Sequence, residues 1–218
     1  MQASQVLLER LGRLHTALVS DVLDALGHRV GVMDFRIHPV ARRGRLVGRA
    51  FTLASSPIDE PEEVPYEKLL AGFRVLTRGD VVVLGTNGEL KSGVWGELLA
   101  TAARARGATG AVTDGLTRDV AQLEEMGFPV FARGPSPLDS AGRQAVHEVG
   151  EPVVCGGVEV RPGDLVLGDA MGVVVIPAAL ADDAVRLAEE KHSGENVVRA
   201  ELERGDDPAE VFARHGIL

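Results

Sequence analysis

The sequence predicts an α/β fold, on three observations. Gly79-Asp80-Val81-Val82-Val83-Leu84-Gly85 is a turn followed by an unbroken apolar strand, the pattern of a sheet covered on both faces. Residues 93–126 pass from a glycine-led helix to a short buried strand, an Asp114-Gly115 turn and a second helix opened by Arg118-Asp119. Residues 151–177 break into short apolar runs separated by glycine and proline turns.

Residues 4–14 carry apolar side chains at helical spacing. Residues 16–26 repeat the pattern, with Ser20-Asp21 inside and Gly27 as a stop. Residues 31–33 and 35–39 read as extended, and residues 48–54 as a partly alternating strand. The acidic, proline-punctuated stretch 55–65 predicts a solvated surface loop rather than a lid, because nothing in it is chemically specialised. Residues 66–76 form a helix pattern, and residues 86–90 a loop. Alanines 100, 102, 103 and 105 let helix 96–106 approach a sheet closely, and Gly107 ends it. Strands are expected at 110–113 and 128–132, flanking a helix over 119–126. Runs 152–155, 158–160, 165–167 and 173–176 predict a compact antiparallel or barrel-like β unit. A long amphipathic helix over 178–204 and a short one over 208–215 close the chain. Its 218 residues show no repeat or clear linker, so one domain spanning 1–218 is expected, with 178–218 as a C-terminal helical extension.

Composition narrows the function. Aromatics are only 4%, so the core is built from Val, Leu, Ala and Ile, and base stacking on aromatic platforms is disfavoured. A net charge of −9 argues against nucleic-acid and anionic-membrane partners. The one basic cluster, Arg42-Arg43-Gly44-Arg45 with Arg49 following, reads as a solvated turn. Cys155 is the only cysteine and sits among valines, which predicts a buried thiol in a reducing compartment. No apolar run approaches the ~18 residues of a membrane span and no signal-peptide pattern opens the chain, so a soluble cytoplasmic protein is expected.

Chemistry points to two helix starts. Backbone amides and the positive dipole end attract a carboxylate or phosphate, and an aspartate can hold a hard cation through oxygen. At a loop-to-helix junction Asp119 can cap or bind metal while Arg118 points into a cleft; a plain N-cap beside an exposed arginine is the alternative. At Gly96-Glu97-Leu98-Leu99 a glycine admits a ligand to the first-turn amides, or serves only close packing. The six histidines are scattered without zinc spacing, and neither Cys155 nor Ser55, Ser92 or Ser136 stands in a nucleophile context.

Gly96-Glu97, Gly107-x-x-Gly110, Asp114-Gly115-x-x-Arg118-Asp119 and Gly127-Phe128-Pro129-Val130-Phe131 together resemble the regulator-of-ribonuclease-activity A-like (RraA-like) proteins. That family includes the class II 4-hydroxy-4-methyl-2-oxoglutarate aldolases, and its members have been mislabelled demethylmenaquinone methyltransferases. The likeness runs over nearly the whole chain, through Gly163-Asp164 to Pro177 and the ending 210–218. It implies an α/β sandwich of the swivelling phosphohistidine-domain type, assembled as homotrimers or paired trimers with sites at subunit boundaries. It also implies a lyase that cleaves pyruvate from a small 2-oxo acid, as aldolase, oxaloacetate decarboxylase or both. The amides of Gly96, Glu97, Leu98 and Leu99 would take the pyruvyl carboxylate. Arg118 would bind the keto oxygen and stabilise the enolate, and Asp119 would hold Mg²⁺ or Mn²⁺ largely through water. The alternative within the family is a non-catalytic regulator that binds and inhibits a ribonuclease or another protein partner. The sequence departs from the aldolase pattern at Gln122, where a carboxylate is usual, with Glu124 and Glu125 slightly later, and at Met171, where an acid is frequent. Glu189 or Glu190 would be the C-terminal-helix glutamates for a neighbour's site. A methyltransferase is disfavoured, because no glycine-rich nucleotide loop precedes an acidic ribose ligand.

Overall fold

The computed structural model describes residues 4–41 and 44–217, so Arg42 and Arg43 of the basic cluster and the final Leu218 lie outside the described residues. The two N-terminal helices form as their spacing predicts. In α1 (Gln5–Leu11) the Ser4 hydroxyl caps the Leu7 amide, and α2 (Thr16–Ala25) ends before Gly27, whose φ is 83°. After β1 (His38–Ala41), β2 (Leu46–Pro57) runs through Ser55, Ser56 and Pro57. The expected loop therefore starts three residues later. Polar side chains there suit a strand because β2 pairs along its second half with β8 (Gln144–Val149), a strand whose own half-polar sequence gave no signal.

Helix α3 (Glu67–Phe73) leads into β3 (Asp80–Gly85), buried at all six positions. Next come β4 (Gly93–Trp95), α4 (Glu97–Ala105), β5 (Gly110–Thr113), β6 (Leu116–Thr117), α5 (Val120–Met126) and β7 (Val130–Ala132). Strands β2, β3, β5 and β7 are parallel, and β1 lies antiparallel on the outside of β7.

The later β segments do not form one unit. Strands β9 (Val153–Cys155) and β10 (Val158–Val160) make a separate hairpin, whereas β11 (Leu165–Asp169) joins the first half of β2 and carries β12 (Gly172–Ile176). The eight-stranded sheet curls until β12 and β1 meet. Period-two alternation sorts its side chains between faces. Val81, Val83, Val112, Val166 and Phe131 point into the curl. Val82, Leu84 and Ala111 pack outward on α3, α4 and α5, and Leu165 and Leu167 on α1, α2 and α6. Phe131 on β7 reaches across to Gly168 on β11, where a Cβ would stand 2.9 Å from the ring.

A 3-10 turn (Ala178–Leu180) precedes α6 (Ala181–Glu203), which buries Ala181, Ala184, Val185 and Ala188 on the chain's own core, while its far end packs with α7 (Pro208–His215). Of the basic cluster, Arg49 is not solvated. Its guanidinium lies 3.2 Å from the Asp80 carboxylate, which also accepts the Thr77 amide and hydroxyl at 2.8 and 2.9 Å. Charge buried this way is retained only when paired. No described helix is long and apolar enough to cross a membrane.

Phe131 fills the centre of the curl at zero exposure, so Phe131→Ala should cost about 3–5 kcal/mol of unfolding free energy, read by chemical denaturation.

Candidate active site

Strands β4 and β6 pair in parallel, Gly93 opposite Leu116 and Trp95 opposite Thr117, so the helices that follow start side by side. The Arg118 amide donates to the Trp95 carbonyl at 2.7 Å and the Thr117 hydroxyl donates to it at 3.1 Å. Asp119, the last residue before α5, sits at φ 54° and ψ 39°, a left-handed conformation rare outside glycine. Its side chain does not cap its own helix. Instead Asp119 Oδ2 accepts the Glu97 amide at 3.1 Å and so caps α4.

The two glycines here are set by crowding. A Cβ on Gly96 would lie 2.7 Å from Asp119 Oδ2, and one on Gly93 would lie 2.4 Å from Arg118 Cγ. Gly96 has extended backbone (φ −158°), so proximity and not conformation demands it.

Gly96, Leu98, Leu99, Arg118 and Asp119 all line one cavity of about 470 Å³. Glu97 does not line it: its amide is held by Asp119 and its carboxylate accepts the Thr101 hydroxyl at 2.7 Å. Among the described residues the amides of Leu98 and Leu99 have no protein acceptor, as first-turn groups of a helix require an external one.

Arg118 and Asp119 do not pair with each other. Arg118 Nη1 lies 2.9 Å from Asp139 Oδ1, which also takes the Tyr66 hydroxyl at 3.2 Å. Burial acts to raise the Asp139 carboxyl, but the Ala141 amide, Arg118 and Tyr66 outweigh it and hold it below the ordinary value. Burial pushes the Tyr66 hydroxyl up, so it stays protonated at neutral pH. Tyr66 and Asp139 were missed from sequence because neither stands in a chemical motif: Tyr66 read only as the first residue of the helix over 66–76, and residue 139 fell in no expected element. Tyr66 has a positive φ of 65°, and Asp139 follows the 134–137 Gly-Pro-Ser-Pro turn.

The remaining candidates stand apart. Gln122, Glu124 and Glu125 are exposed on α5, and Met171 is exposed on the β11–β12 turn. Glu189 is bound by Arg10 at 2.6 Å and Glu190 by Arg186 at 3.0 Å. Cys155 is fully buried, which pushes its thiol up, and among the described residues no three His, Cys, Asp or Glu cluster as a metal cage. A second, more open cavity of about 560 Å³ lies beyond the ends of β2 and β3. There Ser56 Oγ and His147 Nδ1 are 3.4 Å apart, and among the described residues no carboxylate orients that imidazole, so nucleophilic catalysis is unsupported.

A family model for aldolase/RraA proteins matches residues 16–175. A Halalkalibacterium halodurans protein provisionally named 4-hydroxy-4-methyl-2-oxoglutarate aldolase is 30% identical over 82% of this chain and 80% of its own. A solved structure from Pseudomonas syringae pv. tomato superposes with a TM-score of 0.83 at 29% identity, over 97% of this chain and 98% of that one. Streptomyces coelicolor RraAS2, described as an unusual member of the RNase ES inhibitor RraA protein family, gives 0.82 at 28% identity, over 91% and 98%. The nearly closed sheet sandwiched by helices, with its C-terminal helix, is the architecture of those structures, as the sequence led us to expect. With the match running from the start of α2 into β12, the chain belongs to the aldolase/RraA family.

Proposed function

We propose that this protein is a cytoplasmic, divalent-metal-dependent carbon–carbon lyase that releases pyruvate from a 2-oxo acid. The reaction is retro-aldol cleavage of a 4-hydroxy-4-methyl-2-oxoglutarate-type substrate, decarboxylation of oxaloacetate, or both. The observation that carries this is that Leu98, Leu99, Arg118 and Asp119 line one cavity, the amides of the two leucines having no protein acceptor among the described residues. The aldolase name of the Halalkalibacterium relative supports the same class.

The substrate's pyruvyl carboxylate takes the two amides at the start of α4. Arg118 donates to the keto oxygen. As the C–C bond breaks, its electron pair moves into the carbonyl system, with the 4-hydroxyl proton lost to solvent in the retro-aldol or CO₂ expelled in the decarboxylation. The guanidinium stabilises the enolate oxygen, and a proton from solvent at the enolate carbon completes pyruvate. The donor set fits a hard cation. The cavity lining sets one arginine against two carboxylates, Asp119 and Asp139, so an anionic substrate needs further positive charge. Asp119 would hold Mg²⁺ or Mn²⁺, and a single carboxylate suits an ion that keeps most of its waters. Such a cation would supply Lewis-acid stabilisation of developing negative charge.

The chain is proposed to act as one domain over 1–218, with 178–218 as its helical extension, in a homotrimer or pair of trimers. Leu70 and Leu98 at the cavity, 52% and 79% exposed, are apolar surface that a neighbouring subunit would cover. The description of the Streptomyces relative supports a second reading, a regulator that binds a ribonuclease or other partner through its surface. Such binding would survive Arg118→Ala.

The full chain should release pyruvate from oxaloacetate or 4-hydroxy-4-methyl-2-oxoglutarate with Mg²⁺ or Mn²⁺, and stop on chelation with EDTA. Arg118→Ala should lower kcat by roughly 10²–10³-fold. No turnover of either substrate, or full turnover in Asp119→Ala, rules the lyase out. Gly96→Ala drives a methyl against Asp119 Oδ2, so the metal concentration for half-maximal activity should rise roughly 10–100-fold while the circular dichroism spectrum stays native.

A further inference from the structure

Arg118 uses only part of its donor set within the protein. Nη1 is bound to Asp139 Oδ1 at 2.9 Å, while Nε and Nη2 have no acceptor among the described residues. Asp139 is built in rather than draped across the site. Its neighbour Leu138 accepts the Gly93 amide at 2.9 Å, Gly93 and Asp139 form a parallel bridge, and Arg143 Nη1 donates to the Asp139 carbonyl at 3.0 Å. The loop thus extends the β4–β6 pair by a third strand segment. Asp139 Oδ1 accepts hydrogen bonds from the Tyr66 hydroxyl at 3.2 Å and the Ala141 amide at 3.4 Å, beside the Arg118 ion pair at 2.9 Å. Tyr66 is itself held in its left-handed conformation, its amide donating to Glu62 Oε2 at 3.2 Å. A solvated ion pair of two long, free side chains has none of this anchoring.

We infer that Asp139 is the resident counter-ion of Arg118, a positioning residue that orients the guanidinium through Nη1 and competes with an incoming small carboxylate for its charge. The Tyr66 hydroxyl restrains that competition by dispersing the Asp139 charge. The free Nε and Nη2 edge is left for the ligand, in the geometry a planar guanidinium uses for paired oxygens. This role rests on the cavity being the oxo-acid site proposed above.

Calorimetric titration of the full chain with oxalate and pyruvate, in Mg²⁺, tests it. Asp139→Asn keeps an acceptor for Nη1 but removes the competing charge, so oxalate should bind roughly two- to fivefold tighter than to the unsubstituted chain. Asp139→Ala removes acceptor and charge together, so its kcat should fall below that of Asp139→Asn while its oxalate affinity does not weaken. Tyr66→Phe leaves the Asp139 charge less dispersed, so oxalate should bind more weakly, the opposite sign. A merely structural role would weaken binding in all three. Asp139→Asn binding no tighter than the unsubstituted chain, or Tyr66→Phe moving the same way, overturns the counter-ion role and leaves the lyase standing. If the folded, unsubstituted chain binds neither oxalate nor pyruvate, the oxo-acid site itself falls and this role with it.

Discussion

The Asp119 carboxylate accepts the Glu97 amide at 3.1 Å, and that bond ties the start of one helix to the residue that begins the next. A capping hydrogen bond contributes about 1 kcal/mol, whereas a left-handed non-glycine residue costs of order 1–3 kcal/mol. Capping α4 alone therefore does not account for the backbone of Asp119. The surroundings over-determine it: Arg118 N is fixed to the Trp95 carbonyl, the Asp119 carbonyl accepts the Leu123 amide at 2.9 Å, and Leu123 is fully buried. Turning Asp119 this way leaves Arg118 on the cavity side. Gly96 and Gly93 follow from the same demand, since each vacates space that Asp119 or Arg118 occupies.

Charge explains what the cavity does with that geometry. An arginine beside two carboxylates does not by itself invite an anion, and the free amides of Leu98 and Leu99 offer only partial positive charge. A divalent cation on Asp119 would reverse the balance, which is why the proposed chemistry couples metal and substrate rather than treating them as independent guests. The pairing of Arg118 with Asp139 acts in the opposite sense on charge, because that carboxylate already neutralises part of the guanidinium.

What the sequence made legible follows the strength of local constraint. The Val81–Leu84 run announced β3 because both its faces are buried, and the α2 pattern held because one stripe meets the core. Strand β8 gave no signal, as Gln144-Ala145-Val146-His147-Glu148-Val149 lies at an edge with half its surface wet. The β11–β12 hairpin was visible, yet its partner β2 lies far back in the chain, and turns carry no information about distant pairing. The convergence of Gly96 with Arg118 and Asp119 was readable because all three stand at strand-to-helix junctions. The true partner of Arg118 was not. Neighbouring side chains at a helix start diverge by about 100°, which already separated Arg118 from Asp119, and the acid that meets the guanidinium comes from a separate loop.

The cavity therefore has two halves of different origin. Its floor is fixed by the parallel β4–β6 pair, by glycines with no room for a methyl, and by a carboxylate shared between helices. Its wall, Tyr66 and Asp139, comes from the turn before α3 and from the loop between β7 and β8. Relatives of this fold are described both as aldolases and as ribonuclease inhibitors, so the sandwich cannot by itself decide the chemistry. That floor is compatible with either. What the wall adds to that floor is one carboxylate, Asp139, 2.9 Å from Arg118 Nη1, while among the described residues Nε and Nη2 find no acceptor.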